Sequence, residues 1–292
     1  MKNFGLVLGL LAASLQPVWA QVTVEVMLKQ DQFLPGESLP TAVRITNRSG
    51  QTLALGGEED WLTFSIEARE GTVVSKTGDA PVAGEFTLDS SKMATKHVDL
   101  APYFSLTRPG RYSIVATVRI KNWDRELTSP PKEFDIIEGA KLWEQTVGVP
   151  NAAGTNTPPE VRKYVLQQAN YLKGRIGLFL RVTDSSGAKT FRVFPVGAMV
   201  SFSRPEPQID KFSNLHVLYL NGAHTFSYTV FNPSGDLLTR ETYDMPNNAH
   251  LRLQTDAEGK ISVAGGVRRI TANDVPAPNP ATPPDDAQKP KP

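Results

Sequence analysis

Hydrophobic and polar residues alternate with a period of two along most of this chain. Val22, Val24, Val26 and Leu28 are separated by polar or charged neighbours; Leu39, Thr41, Val43 and Ile45 form a second such set, and Leu62, Phe64, Ile66 and Ala68 a third. Alternation of this kind turns one face of an extended segment to a core and the other to water, so each set predicts a half-buried antiparallel strand. The third set places Trp61 on the face opposite the core, beside Thr63, Ser65 and Glu67. The clearest set is Tyr112, Ile114, Ala116, Val118 and Ile120, alternating with Arg111, Ser113, Thr117, Arg119 and Lys121 and fed by the turn Pro109-Gly110. Pro35-Gly36 and Asn47-Arg48-Ser49-Gly50 supply the other main turns. Weaker strands are expected at 72–75, 86–88 and 96–100, and a last one near 134–137.

Past Glu138 the pattern is interrupted. Gly148, Pro150, Gly154, Pro158 and Pro159 argue against strand pairing, so 139–159 reads as a connector. Leu142, Trp143 and Val147 are too apolar for a solvated linker and should pack against one of the flanking domains. Residues 160–172 carry two readings. Thr157-Pro158-Pro159-Glu160 has the spacing of a helix capping box, with Val161, Tyr164, Val165, Gln168 and Leu172 as a helical stripe. The same residues also read as the first arm of a hairpin turning at Lys173-Gly174. The hairpin is favoured because everything after it is strand-like: Leu178 to Val182, Phe191 to Val196, Met199 to Phe202, Leu215 to Tyr219, Phe226 to Val230, Leu237 to Tyr243, Leu251 to Leu253 and Ile261 to Val263. The turns Ser185-Ser186-Gly187, Asn221-Gly222, Asn232-Pro233-Ser234-Gly235 and Asp256-Ala257-Glu258-Gly259 separate them.

The two ends are of different character. Lys2, an apolar run from Phe4 to Leu15, and Gln16-Pro17-Val18-Trp19-Ala20 have the layout of a secretory signal cut after Ala20. The run is short of the ~20 residues a spanning helix needs. Cleavage removes Lys2 and leaves 30 basic against 30 acidic residues, which gives no electrostatic case for nucleic acid or anionic lipid. Cysteine is absent from the sequence, which fits a bacterial periplasm or cell surface and excludes a thiolate metal site and a cysteine nucleophile. Seven prolines follow Asp274 with no large apolar residue but Val275, so 272–292 reads as a plain disordered tail, with a wall-spanning spacer or a proline-rich ligand as the alternative.

Signatures of chemistry are sparse. The sequence has no Gly-x-Ser-x-Gly elbow, His-Glu-x-x-His pair, EF-hand loop or glycine-rich phosphate cradle, and no cofactor is expected. The four histidines, His97, His216, His224 and His250, are scattered, although His216 and His224 are expected on neighbouring strands across Asn221-Gly222; without a third ligand the pair reads as a polar face rather than a zinc site. Glu58-Glu59-Asp60 offers oxygen ligands for calcium, but a solvated loop is the favoured reading. Glu206 and Asp210 are a pair of acids beside the longest irregular stretch of the second domain, without evidence of the spacing that glycoside hydrolysis requires. The better candidate is Asn122-Trp123-Asp124, in the loop after the strand that begins at Tyr112. A flat ring between two polar side chains suits a glycan or a protein surface, and these three are the expected binding residues.

Pro35-Gly36-Glu37 together with Pro109-Gly110-Arg111-Tyr112 resembles the immunoglobulin-like and fibronectin-III-like domains of secreted bacterial proteins, over residues 22–138. In those domains a Tyr at this place forms a tyrosine corner, its ring in the core and its hydroxyl bonded back to the backbone. The resemblance implies a fold and leaves function open; the second domain resembles no known family. The expected organisation is therefore all-β: signal peptide 1–20, immunoglobulin-like β-sandwich 21–138, connector 139–159, a second all-β sandwich 160–271 and tail 272–292. The expected role is a secreted, non-enzymatic binding or structural module whose partner is a protein or a glycan. The alternatives are a secreted enzyme acting on glycans or peptides through a site of unfamiliar pattern, and a periplasmic chaperone. Pilus-type chaperones also join two immunoglobulin-like domains, but their sequence patterns are missing here.

Overall fold

The computed structural model describes residues 22–69, 74–149, 160–171, 174, 176–246 and 250–276. The signal segment, the end of the tail from 277, and parts of the strand expected at 72–75 lie outside the described residues. Nearly everything described is β-structure, and no α-helix occurs among these residues.

The N-terminal half contains β1 (Val22–Leu28), β2 (Gln32–Phe33), β3 (Pro40–Asn47), β4 (Leu53–Leu55), β5 (Leu62–Ala68), β6 (Phe86–Leu88), β7 (Lys92–Asp99), β8 (Gly110–Ile120), β9 (Arg125–Thr128) and β10 (Lys132–Ile136). They form the sheets β1-β3-β7 and β2-β10-β8-β5, with β9 paired to β8, and the small ladder β4-β6. The alternating positions meet in one core: Val24, Val26, Val43 and Ile45 from the first sheet lie against Phe64, Ile66, Ile114, Ala116 and Phe134 from the second. Tyr112 takes the corner position expected of it. Its ring is buried and stacks on Phe134 at 5.5 Å, and its hydroxyl donates to the Arg108 carbonyl at 2.7 Å.

Trp61 does not face solvent. It is 2 % exposed, its indole N–H donates to the Val82 carbonyl at 2.6 Å, and its ring meets Phe86 edge-on at 5.7 Å. The alternation argument applies to a strand with one open face, but β5 begins only at Leu62, and the segment carrying Ala80 and Val82 lies over Trp61. Asn122, Trp123 and Asp124 sit in the tight connection between β8 and β9, with Lys121–Trp123 in a single 3-10 turn closed by Asp124 in the left-handed region (φ 46°).

The C-terminal half contains β11 (Ala140–Gly148), β12 (Val161–Asn170), β13 (Ile176–Asp184), β14 (Thr190–Met199), β15 (Glu206–Ile209), β16 (Leu215–Leu220), β17 (Thr225–Phe231), β18 (Leu237–Asp244), β19 (Arg252–Thr255), β20 (Ile261–Ala264) and β21 (Val267–Arg269). The first correction here concerns the connector. Residues 140–148 are a full strand paired to β12 from Ala140↔Gln168 to Gly148↔Val161, because the breaking residues cluster after Gly148 and leave the nine before it free to pair. Leu142, Trp143 and Val147 pack on the adjoining core. The two readings of 160–172 resolve as the hairpin, with Arg162↔Asp184 to Asn170↔Ile176 in unbroken register.

This half is a stack of layers. Sheet β11-β12-β13-β14 turns Tyr164, Leu166, Leu178, Leu180 and Val182 toward Leu215, Val217, Tyr219 and Phe231 of sheet β15-β16-β17-β18-β21. Its other face carries Ala169, Phe179 and Val193, which close on Leu34 of the N-terminal half. At the same junction Arg181 donates to the Pro35 carbonyl at 2.8 Å, and burial lowers its pKa. The outer face of the second sheet is covered in part by the hairpin β19-β20, through Leu251, Leu253 and Ile261 against Leu218, Tyr228 and Val230. Five successive residues of β16, from Leu215 to Tyr219, are therefore buried. The chain beyond β21 also docks further than its composition suggests: Val275 exchanges both backbone hydrogen bonds with Arg240 of β18, at 2.9 and 3.0 Å.

Candidate functional site

The hairpin β19-β20 covers only part of the sheet beneath it, and the uncovered part forms a cleft of about 670 Å³. That volume is in the range of small-ligand sites. Its floor is His216 of β16, Tyr228 and Val230 of β17, and Leu238, Thr239, Glu241 and Tyr243 of β18. Its roof is the hairpin tip Glu258-Gly259-Lys260 with Ile261 to Val263, and its near wall is the turn Asp210-Lys211-Phe212.

That turn is built around one carboxylate. Asp210 Oδ1 accepts from the backbone N–H of Phe212 at 2.9 Å and of Asn214 at 2.8 Å, while Oδ2 accepts from the Asn214 side-chain amide at 2.9 Å. Such an Asx arrangement holds Ser213 in the left-handed region (φ 64°) and leaves Phe212 60 % exposed at the mouth of the cleft. Burial alone raises the Asp210 pKa, but the bonds from Asn214, His216 and the Phe212 amide outweigh it and the net shift is downward. Asp210 is therefore an anion, and it fixes the tautomer of His216. The His216 Nε2–H donates to Asp210 Oδ2 at 3.3 Å, so Nδ1 is the acceptor of the hydrogen bond that the Tyr228 hydroxyl donates at 2.6 Å. Register explains the meeting: His216 lies opposite Val230, which places Tyr228 at the diagonal position on the same face. Burial lowers the His216 pKa against the opposing pull of Asp210, and burial raises that of Tyr228.

A pH dependence follows. Unfolded, His216 titrates near its ordinary value of 6.5; folded, it accepts a proton only at lower pH. As pH falls below 6.5 the unfolded chain binds a proton that the native chain refuses, so stability declines through the window down to the depressed native value and is unaffected above it. Thermal melts at about pH 7.5 and about pH 5.5 should show a lower midpoint in acid, and His216→Gln should shrink the difference. An equal acid loss in the variant would place the sensitivity on another group.

The residues singled out in the sequence are dispersed. The Trp123 ring is half-buried on the N-terminal core, and Asn122 and Asp124 are exposed beside it. Asn122 also borders a small cavity of about 220 Å³ with Glu58, Trp61, Arg119 and Lys121. Two of the three acids of the 58–60 loop are engaged in ion pairs, Glu58 with Lys121 at 2.7 Å and Asp60 with Arg119 at 3.0 Å. Glu206 accepts the Leu253 N–H at 3.1 Å and ties β15 to the hairpin, away from the role of its near neighbour Asp210. His224 does not face His216, because the connection between β16 and β17 holds four residues, 221–224, and His224 lies in it. Tyr228 and Tyr243, both in the cleft, were read only as strand residues. Alternation groups Tyr228 with Phe226 and Val230 as one apolar face, and nothing local marks that face as the floor of a cleft.

No protein-family model matches this chain, and no curated protein matches it. Among solved structures, the sporulation control protein Spo0M from Bacillus subtilis is similar with a TM-score of 0.31 and 10 % identity, over 74 % of this chain and 79 % of that one. A likeness of that degree assigns neither fold nor role.

Proposed function

We propose that this protein is a secreted, non-enzymatic binding module of the bacterial periplasm or cell surface, and that the cleft beneath the β19-β20 hairpin is where it binds. The observation that carries the reading is that the polar groups of the cleft satisfy one another. Both His216 nitrogens are engaged, Asp210 accepts four hydrogen bonds, and the Tyr243 hydroxyl donates to Glu241 at 2.7 Å. A general base needs a lone pair aimed at a substrate proton, whereas groups locked to one another stiffen a wall and lower the entropic cost of binding. Phe212 adds an exposed aromatic surface at the rim, and Lys211, Glu258 and Lys260 add charges of both signs. The short apolar N-terminal run supports secretion, and the Tyr112 corner suits an immunoglobulin-like or fibronectin-III-like N-terminal half. Among the described residues no helix is long and apolar enough to cross a membrane. The Asn122-Trp123-Asp124 tip is a second contact candidate, favoured by the cavity that Asn122 borders.

Peptide and glycan arrays probed with the chain ending at Pro276 test this reading. Binding to members of one array should be lost in Phe212→Ala, whose exposed ring can be removed without a change in melting temperature. Retention of all binding in that variant, or turnover of a bound glycan or peptide, would overturn it.

A further inference from the structure

The cleft lies beside the point where the proline-rich tail leaves the fold. Val275 is bonded to Arg240, between Thr239 and Glu241, and both of these line the cleft. The bridge is antiparallel, so Pro276 follows it on the side of Thr239, which lines the opening. Pro276 costs this arrangement nothing. The two bonds of the bridge belong to Val275, and the next residue of an antiparallel ladder turns its amide away from the partner strand.

The exit is also held in place. Asp274 accepts from the Thr271 hydroxyl at 2.8 Å and from Arg268 at 2.7 Å, and Arg268 reaches Glu241 at 3.7 Å and lies over the Tyr243 ring at 5.7 Å. The tail thus starts from a fixed point at the edge of an aromatic-lined cleft.

Beyond Pro276 the chain continues for sixteen residues, 277–292, of which six are proline. Such a sequence favours the polyproline II conformation, which rises ~3.1 Å per residue and loses little entropy on docking. Grooves lined by aromatic side chains are the usual receptors of such segments. Here Phe212, Tyr228 and Tyr243 supply rings, and Thr239 and Ser262 supply hydroxyls. Six extended residues span roughly 19 Å, enough to run from the edge of β18 across three strand spacings. The described lining carries Asp210, Glu241 and Glu258 against Lys211 and Lys260, a small acidic excess, while the tail sets Lys289 and Lys291 against Asp285 and Asp286 and is formally neutral, so the rings rather than net charge supply the recognition.

We propose that the cleft is a receptor for a proline-rich extended segment and that its resident occupant is the chain's own tail, residues 277–292, bound in cis. This rests on the reading of the cleft as a binding site and names its ligand class. Tethering makes weak recognition sufficient, since a short linker gives an effective concentration on the order of mM. A segment with a Kd of ~0.1 mM in trans would be about 90 % docked in cis. The docked tail would then compete with any external ligand.

Side-chain NMR of His216, Tyr228 and Phe212 tests the proposal, comparing the full chain with the chain ending at Pro276. Truncation should shift these signals, and a synthetic peptide of residues 277–292 should return them toward the full-chain positions in wild type, with at least a tenfold weaker effect in Phe212→Ala. Full-length Phe212→Ala should itself resemble the truncated form at Tyr228. Both chains should be monomeric in sedimentation. Identical spectra with and without the tail would overturn the proposal and leave the binding reading intact, since array binding by the truncated chain does not depend on the tail. Shifts accompanied by a dimer that dissociates on truncation would also overturn it, because the tail would then occupy a second copy.

Discussion

Replacing Tyr112 by alanine is expected to cost about 3–5 kcal/mol, and by phenylalanine only about 1 kcal/mol. The ring fills the core between β5 and β10, stacked on Phe134, and its loss leaves a cavity that β-sheet backbone cannot collapse to fill. The hydroxyl contributes one bond, to the Arg108 carbonyl at the corner, which is only partly buried and can turn to water when phenylalanine is present. Denaturant melts of the two variants separate the terms. Equal losses would mean that the hydroxyl, and not the ring, holds the corner.

Trp61→Ala should be comparably damaging, about 3–5 kcal/mol, although sequence alternation assigns this residue to solvent. The indole is enclosed by Phe86, Val82 and Leu55, and its N–H is the donor to the Val82 carbonyl. Trp61→Phe keeps much of the apolar contact but leaves that buried carbonyl without its donor, a penalty of about 1–3 kcal/mol. The two variants should therefore fall in order, alanine below phenylalanine below wild type, in equilibrium unfolding of the full chain. A neutral Trp61→Ala would show that the indole is dispensable to the core it touches.

These two residues mark what alternation can and cannot convey. Tyr112 was legible because β8 is a long strand with one covered face, so a period of two maps directly onto inside and outside. Trp61 was not, because whether a residue at the head of a strand is covered depends on another part of the chain, here the residues around Val82. The same holds for residues 140–148: Pro150, Gly154, Pro158 and Pro159 all lie beyond the nine residues that pair, and Gly148 is the last of those nine. The alternation of β16, Leu215-Val217-Tyr219, pointed to one buried face, yet the intervening His216 and Leu218 are buried as well under the β19-β20 hairpin. That second covering layer is what creates the cleft. Its parts come from 210–216, 228–230, 238–243 and 258–263, which only the sheet register and the fold-over of the hairpin bring together. The Asx turn at Asp210 was visible as an acid beside an irregular stretch. Its partnership with His216 was hidden, because no local spacing encodes it.

The binding of a proline-rich peptide to the chain ending at Pro276, measured by titration calorimetry, tests the cleft most directly when wild type is set beside Ser262→Trp. Ser262 is an exposed residue of the cleft roof, so a large ring there fills the space without disturbing the cores. The account predicts at least a tenfold loss of affinity in Ser262→Trp and no loss in Trp123→Ala. Unchanged affinity in Ser262→Trp, with binding abolished by Trp123→Ala, would contradict it and move the binding surface to the tip between β8 and β9.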